Sequence, residues 1–402
     1  MKDLTDIEFL LSKEFNVTEL VHFPGEEPFS ADAIAYLNDL ARILNKDPAT
    51  KSYSDIATFA FFCRKANLLQ LKEEYYPSAK LRKGRGIVFH ITPSNVPTTF
   101  AYSFVSGILA GNVNIVKVSS KKSEQSALIV NAINELNQSP KHSAFASRLF
   151  LISCDHQSSA TKYFSSICDV RIIWGDDANI KEIRKYTIPA NAFDVTFASR
   201  YSLCVINADT YINEESPEQV ASGFYNDTYL FDQNVCTSPH LIVWLGEDEN
   251  VRIAKQRFWD TLYDLVKARY TFQPHSAVDK LSAFYCQASQ SGDIKKTSMP
   301  DNLIWRVELK DLSEDIDNYR CNCGYFFEYD ASSLSELSKI RSDKYQTLCY
   351  YGFQKEDLSM IITQIRPSGI DRIVPVGKTT DFSLTWNGYN LIDILSKEIN
   401  PI

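Results

Sequence analysis

Apolar residues recur along the chain with two periods. The run Ser30–Leu44 spaces them at helical intervals, and Ser30 is placed to cap the helix. A second helix is predicted from about Tyr53 to Leu71. From Gly86 the pattern shortens. Gly86–Ile91 is a short, β-rich apolar run that ends in the polar turn Thr92-Pro93-Ser94-Asn95-Val96-Pro97. A helix is predicted over Thr98–Leu109, closed by Gly111, then a strand over Val113–Val118 and a helix over Ser123–Leu136. Further strands are predicted at Arg148–Ile152 and Val170–Trp174, with a helix at Ser158–Ser166 between them. Strands alternating with helices imply parallel pairing with helices on both faces, and ligands in such sheets bind at the carboxyl ends of the strands. The strand Leu203–Ile206, a helix over Ser216–Tyr229, a turn holding Cys236 and the strand Leu241–Leu245 follow. Residues 250–365 read as further α/β structure, and Gly369–Ile402 is rich in turn residues and aromatics.

Composition narrows the class. The chain has 402 residues, 44% hydrophobic and 23% charged, which fits a folded protein and excludes collagen, coiled coil and disorder. Its net charge of −8 argues against general nucleic-acid binding, which leaves a basic footprint. No run approaches the ~18 apolar residues of a membrane span. The opening residues lack a basic-then-apolar leader, so no signal peptide and a cytoplasmic location are expected. Nine cysteines in a chain this long predict reduced thiols, not a disulfide framework.

Several residues carry candidate chemistry, each with a plainer alternative. The fingerprint G-x-G-x-x-G is absent. Gly84 and Gly86 precede a strand, and Phe89 takes the third position, so these glycines read as turn residues. Cys321-Asn322-Cys323 is too tightly spaced for the usual zinc pair and has no partner pair downstream, so no metal site is expected. Cys236 lies in Phe231-Asp232-Gln233-Asn234-Val235-Cys236-Thr237-Ser238-Pro239-His240, on a loop between a helix and a strand. Such a cysteine is either a nucleophile within reach of substrate or a small buried hydrophobe. Asn95, in a turn pinned by two prolines, either donates to a developing oxyanion or builds an Asx turn. Lys117, Ser119, Ser120, Lys121 and Lys122 either hold a phosphate or ribose or form a solvated connection. His240, four residues after Cys236, either assists proton transfer or is structural.

In this order the pieces resemble the aldehyde dehydrogenase superfamily and, more narrowly, its LuxC-like acyl-CoA reductase branch. The matching segments are GIVFHITPSNVPTTF, GILAGNVNIVKVSS, IIWGDDANI, FDQNVCTSPHLIVW and GIDRIVPVGKTTDFSLTWNGYNLIDILS, spanning residues 86 to about 396. The resemblance implies an α/β fold, aldehyde dehydrogenase-like, with a Rossmann-type cofactor domain and a second α/β catalytic domain. The corresponding boundaries are a helical segment at 1–75, an NADP-binding domain at 76–205, a thiol domain at 206–370 and a C-terminal segment at 371–402 that serves oligomerisation. It implies Cys236 as nucleophile and Asn95 as oxyanion donor, with the Cys236 backbone N–H as second donor. It further implies cofactor contacts at Thr92, Pro93, Ser94, Lys117, Ser119, Ser120, Gly175, Asp176 and Ser199.

Departures from the family pattern refine this. The glutamate that activates water in aldehyde oxidisers corresponds to Ala198, which favours exchange with a thiol over hydrolysis. The acidic residue that often binds the ribose hydroxyls corresponds to Ser120. Serine beside Lys121 and Lys122 tolerates a 2′-phosphate, so NADPH is expected over NADH. The glutamate near the nicotinamide ribose has no clear match, since Cys321 or Asn322 falls there. The implied activity is NADPH-dependent reduction of an acyl-CoA or acyl-protein thioester to an aldehyde through a Cys-linked acyl-enzyme. A homo-oligomer, within a multienzyme complex, is implied as well. Oxidation of an aldehyde to an acid and a non-catalytic acyl-carrying scaffold are the alternatives.

Overall fold

Two parallel sheets organise the chain in the computed structural model, which describes residues 7–11, 20–77, 81–121, 123–155, 159–298, 301–313, 316–340 and 342–400. They belong to two compact units. One comprises Met1–Ala198 with Phe382–Ile402, the other Ser199–Asp381.

The first unit includes the strands β1 (Glu8–Phe9), β2 (Arg82–Gly84), β3 (Ile87–Ile91), β4 (Val113–Lys117), β5 (Leu149–Ser153), β6 (Val170–Trp174) and β7 (Phe193–Phe197). The main sheet has the order β1-β5-β4-β3-β6-β7, with only β1 antiparallel among its described strands. All five residues of β3 are buried, as expected of a central parallel strand covered by helices on both faces. The chain runs outward from β3 through β4 to β5, then returns to the other side of β3 for β6 and β7. The strand order therefore reverses at β3, and the turn after Ile91 lies at the switch point where such sheets bind ligands.

Helix α1 (Ala31–Lys46) is capped by Ser30, whose hydroxyl accepts from Ala33 N at 3.2 Å. The single helix expected over residues 53–71 is two helices, α2 (Ser54–Phe62) and α3 (Lys65–Tyr75). Arg64 is extended, and the Asn38 side chain on α1 accepts from Lys65 N at 3.0 Å. A tertiary contact thus caps α3 where local pattern predicted continuity. Helices α4 (Thr99–Leu109), α5 (Glu124–Asn137), α6 (Ala160–Ile167) and α7 (Asp177–Ile183) connect or follow the strands. The first residue predicted for α6, Ser158, lies outside the described residues. Gly84 and Gly86 act in packing. A Cβ at Gly84 would meet Gly111 O at 2.1 Å, and one at Gly86 would meet an Asp169 oxygen at 2.2 Å. The returning segment Ser396–Glu398 pairs antiparallel with β2, and Arg82 donates to Ser396 Oγ at 2.8 Å and Asp393 O at 2.7 Å.

The second unit holds β8 (Tyr201–Asn207), β9 (Pro239–Leu245), β10 (Ile294–Ser298), β11 (Trp305–Leu309), β12 (Tyr325–Ala331), β13 (Tyr345–Tyr351) and β14 (Arg372–Pro375) in the order β10-β11-β12-β9-β8-β13-β14. Only β10 is antiparallel among these strands. Alternate residues feed two cores, one on each face. Leu203, Val205, Leu241, Val243 and Phe327 enter one. Cys204, Ile206, Ile242, Trp244 and Phe326 enter the other, with apolar residues of α8 (Pro217–Thr228) and α9 (Asp248–Arg269). The last long helix is α10 (His275–Gln290). The units divide at 198/199, where the sequence placed a boundary at 205/206, because β8 is bonded to β9 and β13. The segment 371–402 is likewise shared, since β14 completes the second sheet and residues from Phe382 onward return to the first unit.

Candidate active site

Within the first unit, the carboxyl ends of β3 and β4 frame a cavity of about 240 Å³. It is lined by the turn Thr92, Pro93, Ser94 and Asn95, with Ser119 and Lys121 from the loop after β4. Five of the expected site residues therefore meet there. Thr92 closes the β3–β4 ladder, its N–H and Oγ1 both donating to Lys117 O at 3.3 and 2.8 Å. Ser94 and Asn95 are exposed. Pro97 and Phe100, at the start of α4, and Ser123 and Ser126, at the start of α5, complete the wall. Helix N-termini carry a partial positive charge that favours anions, and the start of α5 is capped by Ser123 Oγ, which accepts from Ser126 N at 3.1 Å. Among the described residues, this lining contains the cation Lys121 and no carboxylate. Hydroxyls, a cation and two helix starts suit a phosphorylated ligand.

The remaining cofactor candidates lie elsewhere. The Lys117 ammonium points to Thr161 Oγ1 on α6, 3.4 Å away. Ser119 Oγ accepts from Lys121 N at 3.1 Å, so it also builds the local turn. Ser120 is exposed and does not line the cavity, and Lys122 lies outside the described residues. Gly175 follows β6, its N–H donating to Phe197 O at 3.2 Å, and a Cβ there would meet Asn179 Nδ2 at 2.8 Å. Asp176 caps α7, accepting from Asn179 N at 2.8 Å. Ser199 begins the second unit.

Cys236 sits in the second unit, in a turn at the amino end of β9, opposite to the strand edge that the parallel-sheet rule favours. The turn is closed by Ser238 N donating to Val235 O at 3.0 Å. Ser202 Oγ donates to Cys236 O at 2.8 Å, and Ser238 Oγ to Asp227 O at 2.8 Å. The cysteine is half-buried. Burial pushes its thiol up to about 11, against the pull of its own backbone N–H, the Arg372 and Arg200 guanidiniums and the Thr237 N–H. Burial outweighs the cations, so this environment favours the thiol at neutral pH, which the sequence argument did not anticipate. His240 is buried, with Nδ1 3.1 Å from Cys321 O. Burial lowers it to about 3, so its ring is neutral at physiological pH.

Sequence reasoning passed over three residues that build this site. Gln233, 1% exposed, bonds through its side chain to the residues flanking the cysteine turn. Asp232 and Gln233 have φ of 53° and 61°, a left-handed pair costing about 1–2 kcal/mol each in non-glycine residues. Asp227, at the end of α8, accepts from Gly377 N at 2.6 Å and Thr379 N at 3.0 Å. Arg372 donates to the carbonyls of Thr379 at 2.8 Å, Lys378 at 3.1 Å and Asp381 at 2.8 Å. Asp227 thus holds the amides, and Arg372 the carbonyls, of one loop. Its sequence, VGKTTD, was visible but gave no sign of which distant groups it meets. Among the described residues no group of three metal-ligating side chains occurs. No helix there is long and apolar enough to cross a membrane.

A reversed-order parallel sheet followed by a second α/β unit is an arrangement found in aldehyde dehydrogenase-like folds. Solved structures agree. Aldehyde dehydrogenase 21 from Physcomitrella patens superposes with a TM-score of 0.65 at 10% identity, covering 92% of this chain and 85% of that one. A NAD-dependent benzaldehyde dehydrogenase from Corynebacterium glutamicum gives 0.63 at 12% identity, covering 92% and 84%. Within that fold the chain belongs to the acyl-CoA reductase (LuxC) family, whose model matches residues 17–397. It is 23% identical over 305 residues to a long-chain acyl-protein thioester reductase of Vibrio harveyi, covering 74% of this chain and 60% of the relative. A long-chain acyl-protein thioester reductase of Aliivibrio fischeri is 26% identical over 164 residues, 41% of this chain and 33% of the relative. Both matches therefore span less than two thirds of the relatives' lengths.

Proposed function

We propose that this chain reduces an acyl thioester, carried on coenzyme A or on a protein, to an aldehyde with NADPH, through an acyl group held on Cys236. The observation that carries the reading is the tied-down turn presenting a half-buried thiol in a chain of this family. The Cys236 sulfur, once ionised, attacks the thioester carbonyl, and the carrier thiol leaves with a proton. Asn95 and the Cys236 backbone N–H donate to the oxyanion that develops on the carbonyl oxygen. Bound NADPH supplies hydride chemistry to the acyl carbon. Thr92, Pro93, Ser94, Ser119, Lys121 and the starts of α4 and α5 hold its phosphates and ribose, and Lys117, Ser120, Gly175, Asp176 and Ser199 contribute further contacts. The reduced adduct on Cys236 collapses, releasing aldehyde and restoring the sulfur. Ala198 leaves no carboxylate at its position to activate water, so thiol exchange outruns hydrolysis.

The test is NADPH oxidation against a panel of acyl-CoAs from short to long chains, with product identified by mass. Aldehyde formed in step with NADPH consumption supports the reading. Acid as product, or no oxidation with any chain length, overturns it.

A further inference from the structure

We propose that Gln233 is the positioning residue of the Cys236 nucleophile, an inference that rests on the reading of Cys236 given above. Its side-chain amide uses its full hydrogen-bonding capacity. Nε2 donates to Pro239 O at 2.9 Å and to Tyr325 O at 3.2 Å. Oε1 accepts from Gly324 N at 2.9 Å and from Tyr325 N at 3.2 Å. A primary amide has two donor hydrogens and two acceptor lone pairs, so all four are engaged.

The placement of these bonds assigns the role. The bond to Pro239 O closes a ring around residues 234–238, with Cys236 at its middle. The other three fix that ring to the amino end of β12, where the strand begins beside β9. The backbone of Gln233 is itself held, its N–H donating to Thr228 O at 2.8 Å, in the left-handed conformation that turns the chain into the loop. Neighbouring bonds run in the same direction. Cys323 N donates to Asp232 O at 3.1 Å, and Asn322 Nδ2 to Asn234 Oδ1 at 2.5 Å. The amide thus sets where the Cys236 sulfur and backbone N–H stand relative to β12, a strand that begins 92 residues after Gln233. A displacement of about 1 Å at a reacting group costs on the order of 10²-fold in rate.

Glutamate matches glutamine in length but, as a carboxylate, has no hydrogen to give Pro239 O and Tyr325 O. Buried against two carbonyl oxygens, it takes up a proton more readily than a free carboxyl, and the neutral acid restores one donor. The experiment measures acylation of Cys236 by dodecanoyl-CoA in the full chain, by peptide mass spectrometry, in the unaltered protein and in Gln233→Glu. Iodoacetamide labelling of the exposed Cys286 in the same samples normalises for protein amount and reagent, and far-ultraviolet circular dichroism reports the fold. The expected result at pH 8 is Cys236 acylation at least tenfold slower in the variant. Cys286 labelling and the KM for NADPH stay within twofold, and the ratio of variant to unaltered rate climbs as pH falls to 6. A merely structural role predicts no such selective, pH-dependent deficit. A rate within twofold at pH 8, or a deficit that does not recover at pH 6, overturns the proposal alone. Absence of Cys236 acylation in the unaltered chain overturns the nucleophile reading and this inference together. If the variant does not fold, amide exchange in the unaltered chain decides. Slow exchange shared by peptides 233–239 and 323–326 supports the tie, and fast exchange of 323–326 contradicts it.

Discussion

Asp227 makes the chain's stability fall as pH rises from acid to neutral. Its carboxyl has no exposed surface, and burial pushes it from 3.8 up to about 7 despite the Gly377 and Thr379 amides that favour the charged form, while Asp381 adds to the rise. A carboxyl raised in the folded state binds its proton more tightly there than in the unfolded chain. Its contribution is therefore fully present below 3.8, declines as pH rises toward about 7, and changes no further above that. At about 1.4 kcal/mol per tenfold change in proton affinity, the whole contribution is about 4 kcal/mol, and roughly 2–3 kcal/mol of it disappears between pH 5 and pH 8. Asp227→Ala removes the titrating group along with its two hydrogen bonds. Equilibrium urea unfolding of both proteins, followed by far-ultraviolet circular dichroism at pH 5, 6, 7 and 8, isolates the effect as their difference. The stability advantage of the unaltered protein should shrink by about 2–3 kcal/mol from pH 5 to pH 8. A difference constant within about 0.5 kcal/mol, or one that grows with pH, refutes the reasoning. The second outcome would mean that the two amide donors outweigh burial.

Other outcomes follow from the same geometry. Asn95→Ala should slow acyl transfer to Cys236 by roughly 10²–10³, read in single-turnover acylation, and an unchanged rate removes Asn95 from the oxyanion role. Lys121→Ala should raise the KM for NADPH several-fold while changing the KM for NADH little, because the ammonium is the cation lining the cavity; equal changes in the two constants would remove it from 2′-phosphate recognition. Ala198→Glu should increase acid formation from the acyl-enzyme, measured as free fatty acid released without NADPH, and a null result removes support from the water-activation argument.

Much of the frame was legible because its signals are local. The β3 run is apolar but for His90, whose buried ring bonds Ser103 and Asn114, since both faces are covered, and the two prolines after it announce the turn that lines the cavity. Cys236 stood out for its place between a helix and an apolar strand. What escaped depends on partners far along the chain. Gln233 reads as an ordinary polar loop residue until Gly324 and Tyr325 arrive beside it. Asp227 looks like one more acid near a helix end, and its partners Gly377 and Thr379 lie about 150 residues away. At the break between α2 and α3, Lys65 N is likewise met by the Asn38 side chain, 27 residues earlier in the chain. The carboxyl ends of β3 and β4 frame the first-unit cavity, as the parallel-sheet pattern suggests, whereas Cys236 stands on the loop entering β9, at the amino end of that strand.

The central claim is that Cys236 carries the acyl group. Incubation of the full chain with dodecanoyl-CoA in the absence of NADPH, then peptide mass mapping, tests it directly. The account predicts a dodecanoyl adduct on the peptide containing Cys236, cleared on adding NADPH as dodecanal appears, and neither event in Cys236→Ala. An adduct confined to another cysteine, or aldehyde formation by Cys236→Ala, would contradict it.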